Sequence, residues 1–484
     1  MPADQSIGVQ AVVSPWPERV VAAALAVVAL ATLGRVILGL PGAGELAIGG
    51  YLCFVLAGIA GHVWRIKTLF AVAVVLTGAV TVTVDEPSAV LRAGFDTAAY
   101  LASFLLLLGV LREAAQSSPA VRDCGEYLTS QPPGRRYLAL HTGGHLLGLM
   151  LNFGVLSLLG PLIKRGVAAA TARSGETHLA EIRERRQLSA LLRGFAWIIA
   201  WSPTTITQAL LLTLLPGVEA HRLLLLGLAM ALTVLLVGWL EDRLRWRHLR
   251  RASERAGRAA PALPAPRRAL RSMALICVLL IASVVLTKQA LEIPTVPALM
   301  LSVPCFAFAW IVVQRISEGF GLALGHGLDR GRRIVRHGFP TSSPEVLTLS
   351  SAGFIGSLAA ALIPVDQVAA VAAWAAQTPL LLLTGITAVV VLAAQLALSP
   401  IMFVVFLGSA LAQAPLPGID QTAIALALGA GWALALTGSP FTASVLILSR
   451  VTGVTGTRVS WTWNGAFTML AAGVVVLFLA AVSN

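Results

Sequence analysis

Long apolar runs, separated by short polar or arginine-bearing segments, recur along the chain from Val20 to Val482. They are continuous Ala/Leu/Val stretches. Many are about as long as the roughly 20 residues a helix needs to cross a bilayer core. The pattern predicts helices over about 20–41, 45–63, 67–84, 94–111, 138–163, 194–215, 221–241, 273–288, 296–314, 346–364, 367–414, 419–437, 439–453 and 462–482. The stretch 367–414 is too long for one crossing and has to contain a turn. Short alternating segments, which a spanning β-barrel would show, do not appear. The expected fold class is an all-α polytopic membrane protein.

Composition supports this reading. Hydrophobic residues make up 57% of the 484 and charged residues only 12%, with a mean hydropathy of +0.84. A water-soluble chain of this size needs more polar surface. The net charge of +13 sits between the apolar runs and is nearly all arginine. It reads as a topology signal and not as a nucleic-acid footprint. Cys53, Cys124, Cys277 and Cys305 have no ligand spacing, so no metal site or disulfide framework is expected. The opening residues MPADQSIGVQ lack a basic n-region and a cleavage site, so the first span is expected to act as the insertion signal. The expected location is a bacterial-type inner membrane, crossed several times and in contact with lipid.

Charge then orients the spans. Segment 242–271 carries Arg243, Arg245, Arg247, Arg250, Arg251 and further arginines against only Asp242 and Glu254. With Pro261, Pro264 and Pro266 it reads as a cytoplasmic linker. Segments 164–193 and 112–137 are also basic, while 84–92 carries Asp85 and Glu86 and falls outside. If 112–137 and 164–193 share one side, 138–163 has to enter and leave on that side as a re-entrant hairpin. The alternative is an ordinary span followed by a weakly basic outside loop. Segment 315–340 is basic and amphipathic, an interfacial arm. Past it, 346–364 runs out to Asp366, and 367–414 is expected to form a second hairpin from the opposite face.

Comparing the halves gives the most specific signal. GFAWIIAWSPTTITQALL from Gly194 aligns without gaps on GWALALTGSPFTASVLIL from Gly431. Ser202/Ser439, Pro203/Pro440 and Thr205/Thr442 coincide, in the middle of apolar stretches. A proline within a helix removes an N–H and frees carbonyls, which in lipid need partners such as Ser and Thr hydroxyls. Paired interruptions in two inverted halves are the pattern of a transporter site. The plainer reading, a kink in a packed helix, suits one copy better than two. The organisation expected is therefore N-terminal transmembrane helices 1–66, repeat 1 over 67–241 with hairpin 138–163 and broken helix 194–215, a basic linker 242–272, and repeat 2 over 273–484 with a hairpin within 367–414 and a broken helix over 419–453.

Other residues add chemistry. Asn152-Phe153-Gly154 is a plausible break at the first tip, since Asn offers an amide and Gly permits a turn. Ser399-Pro400 is its counterpart, with Gln395 one helical turn before. His141 and His145, at i and i+4, share a helix face; with no third ligand they suit packing or proton relay better than a metal. Gly143 and Gly144 between them suggest close backbone packing. Arg35 lies inside the first span and either snorkels or pairs; Asp96 and Lys288 lie near span ends, where solvation is the default. No Walker A motif supports ATP drive, and no Ser/His/Asp or HExxH arrangement argues for an enzyme.

This order of parts resembles the ion transporter superfamily, which includes divalent-anion/sodium symporters and arsenite-pump-like permeases. Asn152-Phe153-Gly154 followed by Gly160-Pro161 looks like that family's first hairpin tip. Ser202-Pro203-Thr204-Thr205 and Thr437-Gly438-Ser439-Pro440-Phe441-Thr442 look like its interrupted helices. Phe153 stands where the permeases have an acid. The resemblance implies two inverted repeats, a scaffold domain able to form a homodimer, and a transport domain moving as an elevator. The function expected is secondary transport of a small anion, with Na⁺ or H⁺ coupling open and no bound cofactor or nucleic acid. The site expected comprises Asn152, Gly154, Ser202, Thr204, Thr205, Ser399, Ser439 and Thr442. Two other readings stay open: a cation/proton antiporter using His141 or His145, and a membrane assembly or export component whose arginine-rich loops bind a partner or anionic lipid.

Overall fold

A computed structural model describes residues 18–58, 64–249, 266–364, 378–413 and 418–483, with isolated positions between 367 and 377. Asp366, and the linker residues 250–265 with Pro261 and Pro264, lie outside the described residues. All regular structure within them is helical. The first half holds α1 (Glu18–Leu38), α2 (Ala43–Gly58), α3 (Trp64–Thr83), α4 (Pro87–Gln116), α5 (Pro119–Thr129), α6 (Pro133–Leu151), α7 (Gly154–Ser174), α8 (Ala180–Ile198), α9 (Ile206–Leu214) and α10 (Ala220–Arg245). The second half holds α11 (Arg267–Leu291), α12 (Thr295–Val313), α13 (Phe320–Arg333), α14 (Ser343–Ala361), α15 (Pro379–Gln395), α16 (Pro400–Gln413), α17 (Gln421–Gly438), α18 (Ala443–Thr452) and α19 (Asn464–Val482).

Among the described residues, eight helical stretches are long and apolar enough to cross a membrane. Leu30, Leu225, Leu286 and Leu477 stay largely exposed on them. Such a surface is an aggregation hazard in water and the normal one in lipid. The chain is a multi-pass membrane protein.

The polar segments are more helical than their charge suggested. The region 164–193 is mostly α7 and α8, and α10 runs on to Arg245. Asp242 and Arg193, expected in loops, are buried at 6% and 3% exposure. Each is held by an opposite charge: Arg186 donates to Asp242 at 2.7 Å and Arg193 to Glu241 at 2.9 Å. A buried ion needs such a partner.

The helices form two compact units, Met1–Val110 with Met300–Leu362, and Leu111–Leu299 with Ile363–Asn484. In the first, α4 and α14 cross at glycines: a Cβ on Gly94 would meet Phe354 and Leu358, and one on Gly353 would meet Leu101. Ser103 of α4 donates to the Val28 carbonyl of α1 at 3.0 Å, and Tyr51 of α2 to Ser350 of α14 at 3.0 Å. Asp96 is not solvated as its place near a span end suggested. It pairs with Arg35 at 2.6 Å, and both are about one-third exposed.

The second unit contains every element of the expected site. Here α6 and α8 touch backbone to backbone, because a Cβ on Gly194 would overlap the His141 carbonyl and one on Gly144 would meet the Leu191 carbonyl and Phe195 nitrogen. In the second half, α17 approaches α15 in the same way: a Cβ on Gly431 would lie 3.0 Å from the Thr387 carbonyl. Gly194 and Gly431 are aligned positions of the two Ser-Pro segments, so one small residue in each sets its crossing.

Candidate substrate site

Both Ser-Pro segments interrupt their helices. The first helix stops at Ile198 and resumes at Ile206; the second stops at Gly438 and resumes at Ala443. Proline has no N–H to give the preceding turn, so carbonyls on that side lose their helical partners. Matching hydroxyls satisfy them. Thr205 Oγ1 donates to the Ser202 carbonyl at 2.7 Å, and its counterpart Thr442 donates to the Ser439 carbonyl at 3.2 Å. One turn earlier, Ile199 and its aligned partner Leu436 are also served. Gln208 Nε2 donates to Ile199 at 3.1 Å and to Ala200 at 2.8 Å, and Ser444 Oγ donates to Leu436 at 2.9 Å. The two breaks thus repair the same defect with different side chains.

The expected tips are also breaks. Between α6 and α7, Asn152 takes φ 50°, and between α15 and α16, Ala397 takes φ 62°. Asn tolerates the left-handed region better than most residues; Ala397 has no such excuse and has to be held there by its surroundings. Gly160-Pro161 does not join the first tip but lies well inside α7. There Gly160 receives Val451, since a Cβ would be 3.1 Å from its side chain.

Each tip is tied to the break of its own half at an equivalent carbonyl. Thr204 Oγ1 donates to Leu149, three residues before Asn152, at 3.1 Å, and lies 2.9 Å from Ser202 Oγ. Ser439 Oγ donates to Ala394, three residues before Ala397, at 2.6 Å. Gln395 Nε2 donates to the Gly438 carbonyl at 3.0 Å, and Gln395 Oε1 accepts from Trp461 Nε1 at 3.2 Å. The halves are then cross-linked. Lys164 of α7 donates to the Val451 carbonyl at the end of α18 at 3.1 Å, where a cation also suits the helix dipole. Gly408 of α16 packs on Leu214 at the end of α9. Leu214 and Val451 are aligned positions.

The site residues separate into two groups by what they have left to offer. Ser202, Thr205, Ser439 and Thr442 are almost wholly buried and already bonded. Asn152, Thr204 and Ser399 are half-buried, and Gly154 is buried. Neither the Asn152 amide nor the Ser399 hydroxyl has a hydrogen-bond partner among the described residues. The starts of α9 and α18 receive no side-chain cap, because Thr205 and Thr442 turn their hydroxyls back to the break. Their first N–H groups have no intrahelical acceptor, as at any helix start.

Arg112 was missed by sequence reasoning, which counted it as topology charge at a span end. A Cβ on Gly154 would lie 3.4 Å from its Nε. That nitrogen is buried without a partner, and the guanidinium has no ion pair among the described residues. The only sequence signal was its position just past an apolar run. His141 and His145 form a stack, 5.1 Å between ring centroids, that continues to Trp201 at 6.2 Å. Neither ring nitrogen of the fully buried His141 is hydrogen-bonded. No group of three or more His, Cys, Asp or Glu among the described residues could hold a metal.

The architecture is that of a polytopic α-helical membrane protein. In fold the chain resembles the crystal structure of the Alcanivorax borkumensis YdaH transporter, described as revealing an unusual topology, with a TM-score of 0.55 over 86% of this chain and 97% of that one. Identity between them is 12%, so the likeness is one of fold. No family model and no curated protein matches the sequence.

Proposed function

We propose that the chain is a secondary transporter of a small anion, bound in the second unit by the tips at Asn152 and Ser399 and the starts of α9 and α18. One observation carries this reading: two aligned breaks use their hydroxyls on freed carbonyls and leave the half-helix N–H groups without side-chain caps. Helix starts with open N–H groups favour negative charge. Arg112 beside Gly154 adds a full positive charge. A buried arginine nitrogen without a partner is costly, and a bound carboxylate or oxyanion would supply the missing acceptor.

In this reading the halves are inverted repeats, α6–α7 and α15–α16 are re-entrant pairs in an inner membrane, and the second unit is the transport body, with the first as scaffold. The bonds of Ser202 and Ser439 give them a shaping role, while Asn152, Ser399 and Arg112 contact the solute. Coupling to Na⁺ or H⁺ follows from the carbonyl-rich breaks or from the His145–Trp201 stack respectively.

The test is a thermal-shift screen of the purified protein against dicarboxylates and inorganic oxyanions, followed by uptake into proteoliposomes under a Na⁺ or pH gradient. One anion class should stabilise the protein by mass action and be accumulated. Arg112→Ala should abolish both effects, and Asn152→Ala and Ser399→Ala should each weaken uptake. Unchanged uptake in all three variants would remove the site.

A further inference from the structure

In the first unit, the spanning helix α12 ends at Val313. A short 3₁₀ turn (Ile316–Glu318) and Gly319, at φ 104°, then lead the chain into α13. This helix packs on the last turns of α12: a Cβ on Gly327 would lie 2.7 Å from the Val312 side chain and 3.4 Å from that of Phe308. Beyond α13, His337 Nδ1 lies 3.0 Å from Glu18 Oε1, at the first residue of the spanning helix α1. Both contacts are made at the ends of spans, so α13 and the turn after it lie at the edge of the hydrocarbon layer.

Only one side of α13 is used in that packing. Ala323 and Gly327, four residues apart, are its buried positions. Phe320, Leu324, Leu328 and Arg332 follow at the same interval and form a second stripe. Phe320 is 68% and Leu328 50% exposed, with Leu324 half-buried between them. Arg332 is exposed and pairs only with Asp329, at 3.3 Å. In the next turn Arg333 and Arg336 are exposed, and their guanidinium groups have no hydrogen bond or ion pair among the described residues. Residues 329–336 hold four arginines against the single Asp329. The stripe is thus apolar for three turns and cationic at its end. Acyl chains suit the first part and negatively charged headgroups the second. An acidic soluble partner would match the arginines but not Phe320 and Leu328, and a neutral lipid surface would leave the net charge unbalanced.

We infer that α13 and the turn after it dock on anionic phospholipid, with Phe320 and Leu328 against acyl chains and Arg332, Arg333 and Arg336 gathering acidic headgroups around this edge of the first unit. The surface shares no residue with the tips and breaks of the second unit, and it works whether or not they bind an anion.

The experiment labels Leu328→Cys with bimane in the full-length chain, with Cys53, Cys124, Cys277 and Cys305 each replaced by alanine. The labelled protein is placed in mixed nanodiscs of phosphatidylcholine and phosphatidylglycerol, with bromine on the acyl chains of one lipid or the other. Per brominated molecule, phosphatidylglycerol should quench the label at least about twofold more than phosphatidylcholine. The preference should shrink at high salt. It should vanish in Arg332→Gln/Arg333→Gln/Arg336→Gln and survive in Arg332→Lys/Arg333→Lys/Arg336→Lys. All three side chains are exposed, so the glutamine variant should melt as the parent does; if it does not, the salt dependence of the parent decides. Equal quenching by the two lipids, no quenching by either, or a preference that persists in the glutamine variant overturns the inference.

Discussion

At the scale of single residues, the site divides into side chains that hold the backbone and side chains with bonding capacity to spare. Ser439 belongs to the first kind, since its 2.6 Å bond to the Ala394 carbonyl ties a break to a tip. Ser439→Ala should cost about 1–3 kcal/mol by removing that bond and the one its hydroxyl accepts from the Phe441 N–H at 3.2 Å, visible as a lowered melting temperature before any ligand is added. Asn152→Gly, which keeps the positive φ without strain, should leave melting almost unchanged while weakening uptake, because the Asn152 amide has no partner among the described residues. The identities were legible beforehand: Ser-Pro-x-Thr within apolar stretches marked both breaks, and Asn-x-Gly marked the first tip. The roles were not. Which hydroxyl meets which carbonyl is decided by helices far apart in sequence, and Arg112 at the end of an apolar run looks like any other loop charge.

At the scale of elements, α6 crosses α8 and α15 crosses α17 just before the two breaks. Each crossing is closed by a glycine at an aligned position, but the two differ in tightness. A methyl on Gly194 would overlap the His141 carbonyl, whereas one on Gly431 would stand 3.0 Å from Thr387. Gly194→Ala should therefore cost about 1–3 kcal/mol, the usual range for overpacking, and Gly431→Ala distinctly less. Paired melting curves would check the order; equal costs would mean the crossings are not set by these residues. The helix-forming runs could be read from hydropathy alone. The tip between α15 and α16 could only be bounded, because Ala397 carries no turn signature and takes φ 62° by tertiary constraint. Asp96 was misplaced for a similar reason: hydropathy shows where a span ends but not that Arg35 lies within reach.

At the scale of the molecule, the compact units do not follow the order of the chain. Both units draw on both halves, which no linear boundary could express, so the correspondence of the two Ser-Pro segments was visible in the sequence and the partition was not. Within the second unit, α7 meets α18 and α16 meets α9, so each half completes the other. Proteins made as residues 1–249 and 266–484 should each fail to yield a monodisperse preparation alone, and co-expression should recover a complex. Two well-behaved separate halves would contradict the cross-linked packing.

That packing bears on how the protein is made. Lys164 is synthesised 287 residues before Val451, whose carbonyl it caps. At roughly 5–20 residues per second, the ribosome needs on the order of 15–60 seconds to cover that interval. Throughout it, α7 sits in the translocon or the bilayer with the Lys164 ammonium lacking its late acceptor. A cation without a partner is a liability against bare acyl chains. Cells producing this chain should therefore depend on an insertase or intramembrane chaperone to shelter the first half until the second arrives.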